Sequence, residues 1–249
     1  MRTAPAQPER RVADAGGKMQ GSVEDRKVTI PVGEKGHTSG MLSVPMGRPK
    51  KTALIVAHGA GNDMTNPLIA TFANGMAAGG YPALRFNFLY MEQGRKAPDS
   101  ESTLVATWQA TYRFLKESSG LEIASVVAAG KSMGGRIASQ MVAAGQLPVE
   151  RLVFLGYPLH RAGDLARLRD AHLYEIRIPM LFIEGTRDTL CDLTALRGVL
   201  ARLTAPHELY TIDGGDHSFH VPKSSELTEE EIHARVVNKT LDWLSQPAK

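Results

Sequence analysis

The sequence predicts one α/β domain, a mostly parallel, doubly wound sheet with helices on both faces, opened by an antiparallel hairpin. Three observations carry this expectation. Six short, continuous apolar runs alternate with longer amphipathic segments, and strands apolar on both faces, separated by helices, are what a parallel sheet covered on both sides requires. Two further strand-like runs, joined by a glycine-rich turn, precede them. A chain of 249 residues with 43% hydrophobic content can also fill one sizeable core without dividing.

Residues 1–22 are rich in Ala, Pro, Gly and charge without periodicity, and read as a flexible tail ahead of a single domain over residues 23–249. The hairpin is KVTIPV (27–32) and TSGMLSVP (38–45) around the turn GEKG. The apolar runs are ALIVAH (53–58), PALRFNF (82–88), SVVAAG (125–130), RLVFLG (151–156), MLFIEG (180–185) and ELYTID (208–213). Helices are expected over 67–78, 100–118, 134–144, 193–203 and 228–245. In the second of these, Leu104, Trp108, Tyr112 and Leu115 recur at helical spacing, which makes Trp108 a core residue. Only residues 157–178 are long and irregular enough to make a small excursion over the sheet, so the cap is minimal.

Composition narrows the function. The net charge of +3 arises from 29 basic and 26 acidic residues scattered along the chain, so no basic patch calls for nucleic acid. The single cysteine, Cys191, cannot form an intramolecular disulfide, and zinc-site spacings are missing. No metal or cofactor is expected, and a reducing, cytoplasmic location fits. The arginine-bearing N-terminus lacks the apolar core of a secretory signal, and no later run approaches a membrane span.

In doubly wound sheets the ligand crevice lies beyond the carboxyl ends of the strands. Gly130-Lys131-Ser132-Met133-Gly134 follows an apolar strand there and opens a helix with small residues. It matches G-x-S-x-G, the nucleophile elbow that holds a serine hydroxyl out. Five residues match often by chance; the strand and helix around them give the match its weight. A neutral serine needs a base, and the base needs an orienting group. His217, after the last strand, is placed to be the base, and Asp188, after the preceding strand, to hold its tautomer. The chain order Ser132, Asp188, His217 is the order expected of nucleophile-elbow hydrolases. Asp188 alone could be a turn or cap residue and His217 a surface-loop histidine. Asp213 and Asp216 compete for the orienting role, but they share the histidine's own loop and read as turn formers. The oxyanion donors are expected to be the N–H groups of Met133 and Ala60. Gly59 and Gly61 let that backbone approach substrate, and His58 packs beneath the loop.

The segments AHGAGNDM, GKSMGGR, GYPLH, LFIEGTRD and DGGDHSF resemble the α/β-hydrolase superfamily from about Lys27 to the C-terminus. More narrowly, they resemble a branch of predicted hydrolases related to dienelactone hydrolases, which includes the hydrolase-like domain of a chromatin-associated NSL complex subunit. The resemblance implies the α/β-hydrolase fold, a minimal cap and a triad on Ser132, Asp188 and His217. The chain departs from the branch at Arg161-Ala162-Gly163, where relatives tend to be proline-rich, and at Thr189-Leu190, where they tend to have Pro-Phe. Both places are expected at the pocket rim, with Leu190 touching substrate and Tyr157 and His160 lining the pocket. Lys131 is expected to be solvated and able to favour an acidic substrate group, and Cys191 to be a small apolar or rim residue.

The expected function is a serine hydrolase (an esterase) acting on a small-molecule ester or thioester in an open site suited to small or polar acyl groups. A peptidase or amidase would use the same triad. A binding or scaffold protein on the same fold is the non-enzymatic alternative, and self-association is left open.

Overall fold

The computed structural model describes residues 21–247. Of the expected tail, residues 1–20 lie outside the described residues. Gly21 and Ser22 are fastened to the domain: the Gly21 N–H donates to the Ala78 carbonyl (3.3 Å) and the Met46 N–H to the Ser22 carbonyl (2.8 Å).

The strands are β1 (Val23–Pro31), β2 (His37–Pro45), β3 (Thr52–Ala57), β4 (Ala83–Phe86), β5 (Ser125–Lys131), β6 (Arg151–Leu155), β7 (Met180–Gly185) and β8 (His207–Ile212). They form one sheet in the order β1-β2-β4-β3-β5-β6-β7-β8. β1 and β2 pair antiparallel, with Val28 opposite Gly40, and β2 joins β4 antiparallel. From β4 onward every pairing is parallel. β1 starts four residues before the expected run, because Glu24, Asp25 and Arg26 carry no apolar signal. Charge of this kind suits an edge strand, where it discourages pairing with another chain.

Helices α1 (Pro67–Ala78) and α6 (Glu229–Ser245) cover one face of the sheet, and α3 (Glu101–Arg113), α4 (Met133–Ala143) and α5 (Leu193–Leu200) the other. β3 shows the two-sided burial directly: Ala53, Ile55 and Ala57 join one core, Leu54 and Val56 the other. The ends of the helices follow local chemistry. Asn66 accepts from the N–H groups of Leu68 and Ile69, with Pro67 at the first position of α1. Thr228 and Glu231 cap α6 reciprocally. The expected helix 100–118 divides: α3 ends at Arg113 and a wider π turn, Phe114–Ser118, completes it. Trp108 is fully buried and meets Phe86 edge-on at 5.3 Å. A single turn, α2 (Leu89–Glu92), follows β4.

Residues 157–178 make the small excursion, with a bridge between Arg161 and Asp164 and a 3-10 turn at Ala171–Glu175. Among the described residues no helix is long and apolar enough to cross a membrane.

Candidate active site

Between the end of β5 and the start of α4 stands one residue, Ser132, at φ 52° and ψ −118°. L-residues rarely adopt this region, so the surroundings must hold it there. They do so by close backbone packing. A Cβ on Gly134 would lie 2.6 Å from the His58 carbonyl oxygen, and one on Gly59 3.3 Å from the Ser132 Cβ. The Ser132 N–H donates to the Gly156 carbonyl (3.1 Å), and the Arg136 N–H of α4 to the Ser132 carbonyl (3.0 Å).

His217 reaches the serine from the loop after β8. That loop lies against the end of β7 because Gly185 has no side chain: a Cβ there would stand 2.2 Å from the Gly215 carbonyl oxygen. The Arg187 N–H also donates to Gly215 (2.8 Å). The structure brings the three expected residues together. Ser132 Oγ lies 2.8 Å from His217 Nε2, and His217 Nδ1 lies 2.6 Å from Asp188 Oδ2. The Asp188 side chain is wholly buried, and its other oxygen accepts the Leu190 N–H at 2.7 Å. With Nδ1–H donating to the carboxylate, Nε2 is the free base facing the serine hydroxyl. The competing carboxylates are engaged elsewhere. Asp216 accepts from the N–H groups of Ser218 (2.7 Å) and His220 (3.0 Å), and Asp213 from the Thr186 hydroxyl (3.3 Å).

Beside Ser132 runs the loop after β3. His58 is fully buried; the Phe88 N–H donates to its Nε2 (3.0 Å), so Nδ1 carries the proton and donates to the Gly59 carbonyl (2.8 Å). Burial lowers the His58 pKa, in keeping with a neutral ring. Gly59 is thereby fixed beside Ser132 while Ala60 and Gly61 are exposed, Gly61 at φ 72°. Met133 is the first residue of α4, so its N–H has no acceptor within the helix.

Two expectations about the surroundings need correction. Tyr157 and His160 do not line an open pocket; they are 1% and 3% exposed. The Tyr157 hydroxyl donates to the Arg169 carbonyl (2.6 Å), and its ring packs on Phe154 and Phe182. His160 ties two loops, donating from Nδ1 to the Arg161 carbonyl (2.8 Å) while its Nε2 accepts the Asp192 N–H (2.9 Å). Both pin the excursion to the strand ends from beneath. Lys131 is not solvated but buried, 7% exposed. Cys191 is buried beside Glu184, and burial with the nearby carboxylates raises its thiol pKa. Leu190 is half-buried next to Asp188.

A second serine–histidine contact was invisible in the sequence. Buried Ser139 on α4 lies 2.8 Å from His172 Nε2. Its hydroxyl donates to the Arg136 carbonyl (2.8 Å) within a regular helix, and among the described residues no carboxylate pairs with His172. This couple joins α4 to the excursion and lacks the parts of a nucleophile.

Shallow cavities elsewhere among the described residues include one of about 170 Å³ between Arg151 and Trp243 and one of about 230 Å³ between Phe219 and Ile232. Among the described residues no group of three or more His, Cys, Asp or Glu side chains is arranged to hold a metal ion.

The family model of the alpha/beta hydrolase domain matches residues 50–245. Among solved structures the chain is similar to a dienelactone hydrolase from Anabaena variabilis, at 20% identity and TM-score 0.69, covering 91% of this chain and 99% of that one. It is also similar to an α/β serine hydrolase without lid from Xanthomonas campestris, at 19% identity and TM-score 0.68, covering 91% and 97%. An α/β serine hydrolase homologue from Coxiella burnetii matches at 20% identity and TM-score 0.66, covering 87% and 96%.

Proposed function

The chain belongs to the α/β-hydrolase domain family, and on that premise we propose that it is a serine hydrolase cleaving a carboxylic ester or thioester of a small molecule. The observation that carries the reading is the continuous relay from Ser132 Oγ through His217 to Asp188, at 2.8 and 2.6 Å. As Ser132 Oγ forms its bond to the substrate carbonyl carbon, His217 Nε2 takes the hydroxyl proton. Asp188 holds the ring in the tautomer that leaves Nε2 free and stabilises the imidazolium. The carbonyl oxygen, now an oxyanion, is received by the N–H groups of Met133 and Ala60. Collapse breaks the bond to the alkoxide or thiolate, which takes the proton from His217. A water, deprotonated by the same ring, then releases the acyl group and restores Ser132.

The minimal cap and the exposed Ala60–Gly61 turn suit small or polar acyl groups, with Leu190 at the rim. One catalytic unit over residues 23–249 and a cytoplasmic location, where a lone thiol stays reduced, complete the proposal.

The test is labelling with a fluorophosphonate probe together with a panel of p-nitrophenyl esters, acyl-CoA thioesters and peptide amides. Wild type should be labelled and should turn over esters or thioesters, and Ser132→Ala should lose both while keeping its melting temperature. A folded wild type that takes no label would overturn the enzymatic reading in favour of a binding protein.

A further inference from the structure

Beneath the triad lies a group of ionisable side chains that take no part in the chemistry above. Lys131, immediately before the nucleophile, turns inward, and its buried Nζ has no hydrogen-bond partner among the described residues. Glu184 on β7 is fully buried; its Oε1 accepts the Tyr157 N–H at 2.7 Å and its Oε2 is unpartnered. Cys191 packs beside Glu184. The meeting point is Gly156, at φ 73°. A Cβ there would lie 3.1 Å from Lys131 Nζ, 2.9 Å from the His217 carbonyl oxygen and 3.5 Å from His217 Cε1. The ammonium and the imidazole therefore flank one bare Cα and stand no more than about 7 Å apart, a distance at which a charge still acts strongly in a buried setting. The carboxylates whose field reaches Lys131 are Asp188, Glu184 and Asp216.

An ammonium without a hydrogen-bonded partner is costly to bury, and an apolar chain of equal length would fill the space without that cost. We infer that Lys131 is a positioning residue for the proposed hydrolysis: its ammonium, within about 7 Å of the His217 ring, opposes the carboxylate field and sets the pH at which the ring is free to act as base. The inference rests on the serine-hydrolase reading.

Burial raises the Glu184 pKa well above the usual carboxylate range and brings Lys131 down to about 8. At neutral pH the ammonium is thus charged and repels a proton arriving on His217. Above about pH 8 it becomes neutral, the repulsion ends, and the imidazolium of the transition state forms more readily. The rate constant kcat/KM should accordingly rise twice with pH: once as His217 loses its proton, and again, by about three- to tenfold, near pH 8. Lys131→Met keeps the length and removes the charge. It should show a single rise, displaced toward higher pH, with KM unchanged.

The experiment measures kcat/KM for p-nitrophenyl acetate against pH in wild type and Lys131→Met, with the His217 ring followed by ¹⁵N NMR in both. The expected result is a ring that takes up its proton at higher pH in the variant, and a second inflection near pH 8 in wild type alone. A ring that titrates identically in both proteins would overturn the inference, because a purely structural lysine would alter melting and leave that titration unmoved. If Lys131→Met does not fold, the wild-type ring decides: a second inflection near pH 8 supports the inference and its absence overturns it. If neither protein hydrolyses esters, the serine-hydrolase reading falls, and the ring titration still decides whether Lys131 acts on His217.

Discussion

Gly130 on β5 and Gly135 on α4 touch backbone to backbone: a Cβ on Gly130 would stand 2.3 Å from the Gly135 nitrogen, and one on Gly135 2.7 Å from the Gly130 oxygen. This contact lets the helix start directly on the strand end. Because backbone cannot yield as a side chain can, Gly130→Ala should cost about 3 kcal/mol and reduce activity by displacing Ser132. Gly198 is the control. It lies in α5 with nothing within 4 Å of a built Cβ, so Gly198→Ala should stabilise by about 0.5–1 kcal/mol. Urea unfolding of the two variants checks both signs.

Asp188→Asn should lower turnover on an activated ester by roughly 10⁴, the loss that the same change produces in serine proteases with this triad. Asp216→Asn and Asp213→Asn alter turn hydrogen bonds away from the ring and should each lose less than about tenfold. A crippled Asp216→Asn beside an active Asp188→Asn would move the orienting acid onto the histidine loop.

Ser132→Gly should be inactive and yet more stable than wild type. The serine holds φ 52°, a strain of roughly 1–3 kcal/mol that glycine does not bear. A net gain of about 1 kcal/mol should raise Tm by about 2–4 °C, read by calorimetry.

Stability should fall on acidification through His172. Burial, with Arg136 nearby, lowers its pKa from 6.5 to about 4. Between those values the unfolded chain binds a proton that the folded ring refuses, so unfolding becomes easier as pH drops below about 6.5 and levels off below about 4. The full effect is on the order of 3 kcal/mol. His172→Gln should flatten this part of the stability profile, measured by urea unfolding from pH 7.5 to 4.

The sequence exposed whatever depends on local pattern. Strands β3 and β5–β8 and helix α1 announce themselves by apolar runs and caps, and Ser132, Asp188 and His217 stand where those runs end. What stayed hidden depends on distant neighbours. Lys131 reads as a solvated charge because lysine usually is one; only the bare Cα of Gly156, with β7 alongside, makes room for it inside. Tyr157 and His160 follow a strand end, as pocket residues do, but the direction of each side chain is set by its partners at Arg169 and Asp192. Glu184 sits in an apolar run with no residue beside it to show what it would face.

Ser132 and His217 are 85 positions apart in the chain. At the usual pace of translation the ribosome makes the serine roughly 4–17 s before the histidine proposed to activate it. A serine hydroxyl without its base is a poor nucleophile. On the proposed mechanism, the nascent polypeptide should therefore be chemically silent toward esters throughout that interval, with reactivity appearing only once the segment carrying His217 has been synthesised and docked.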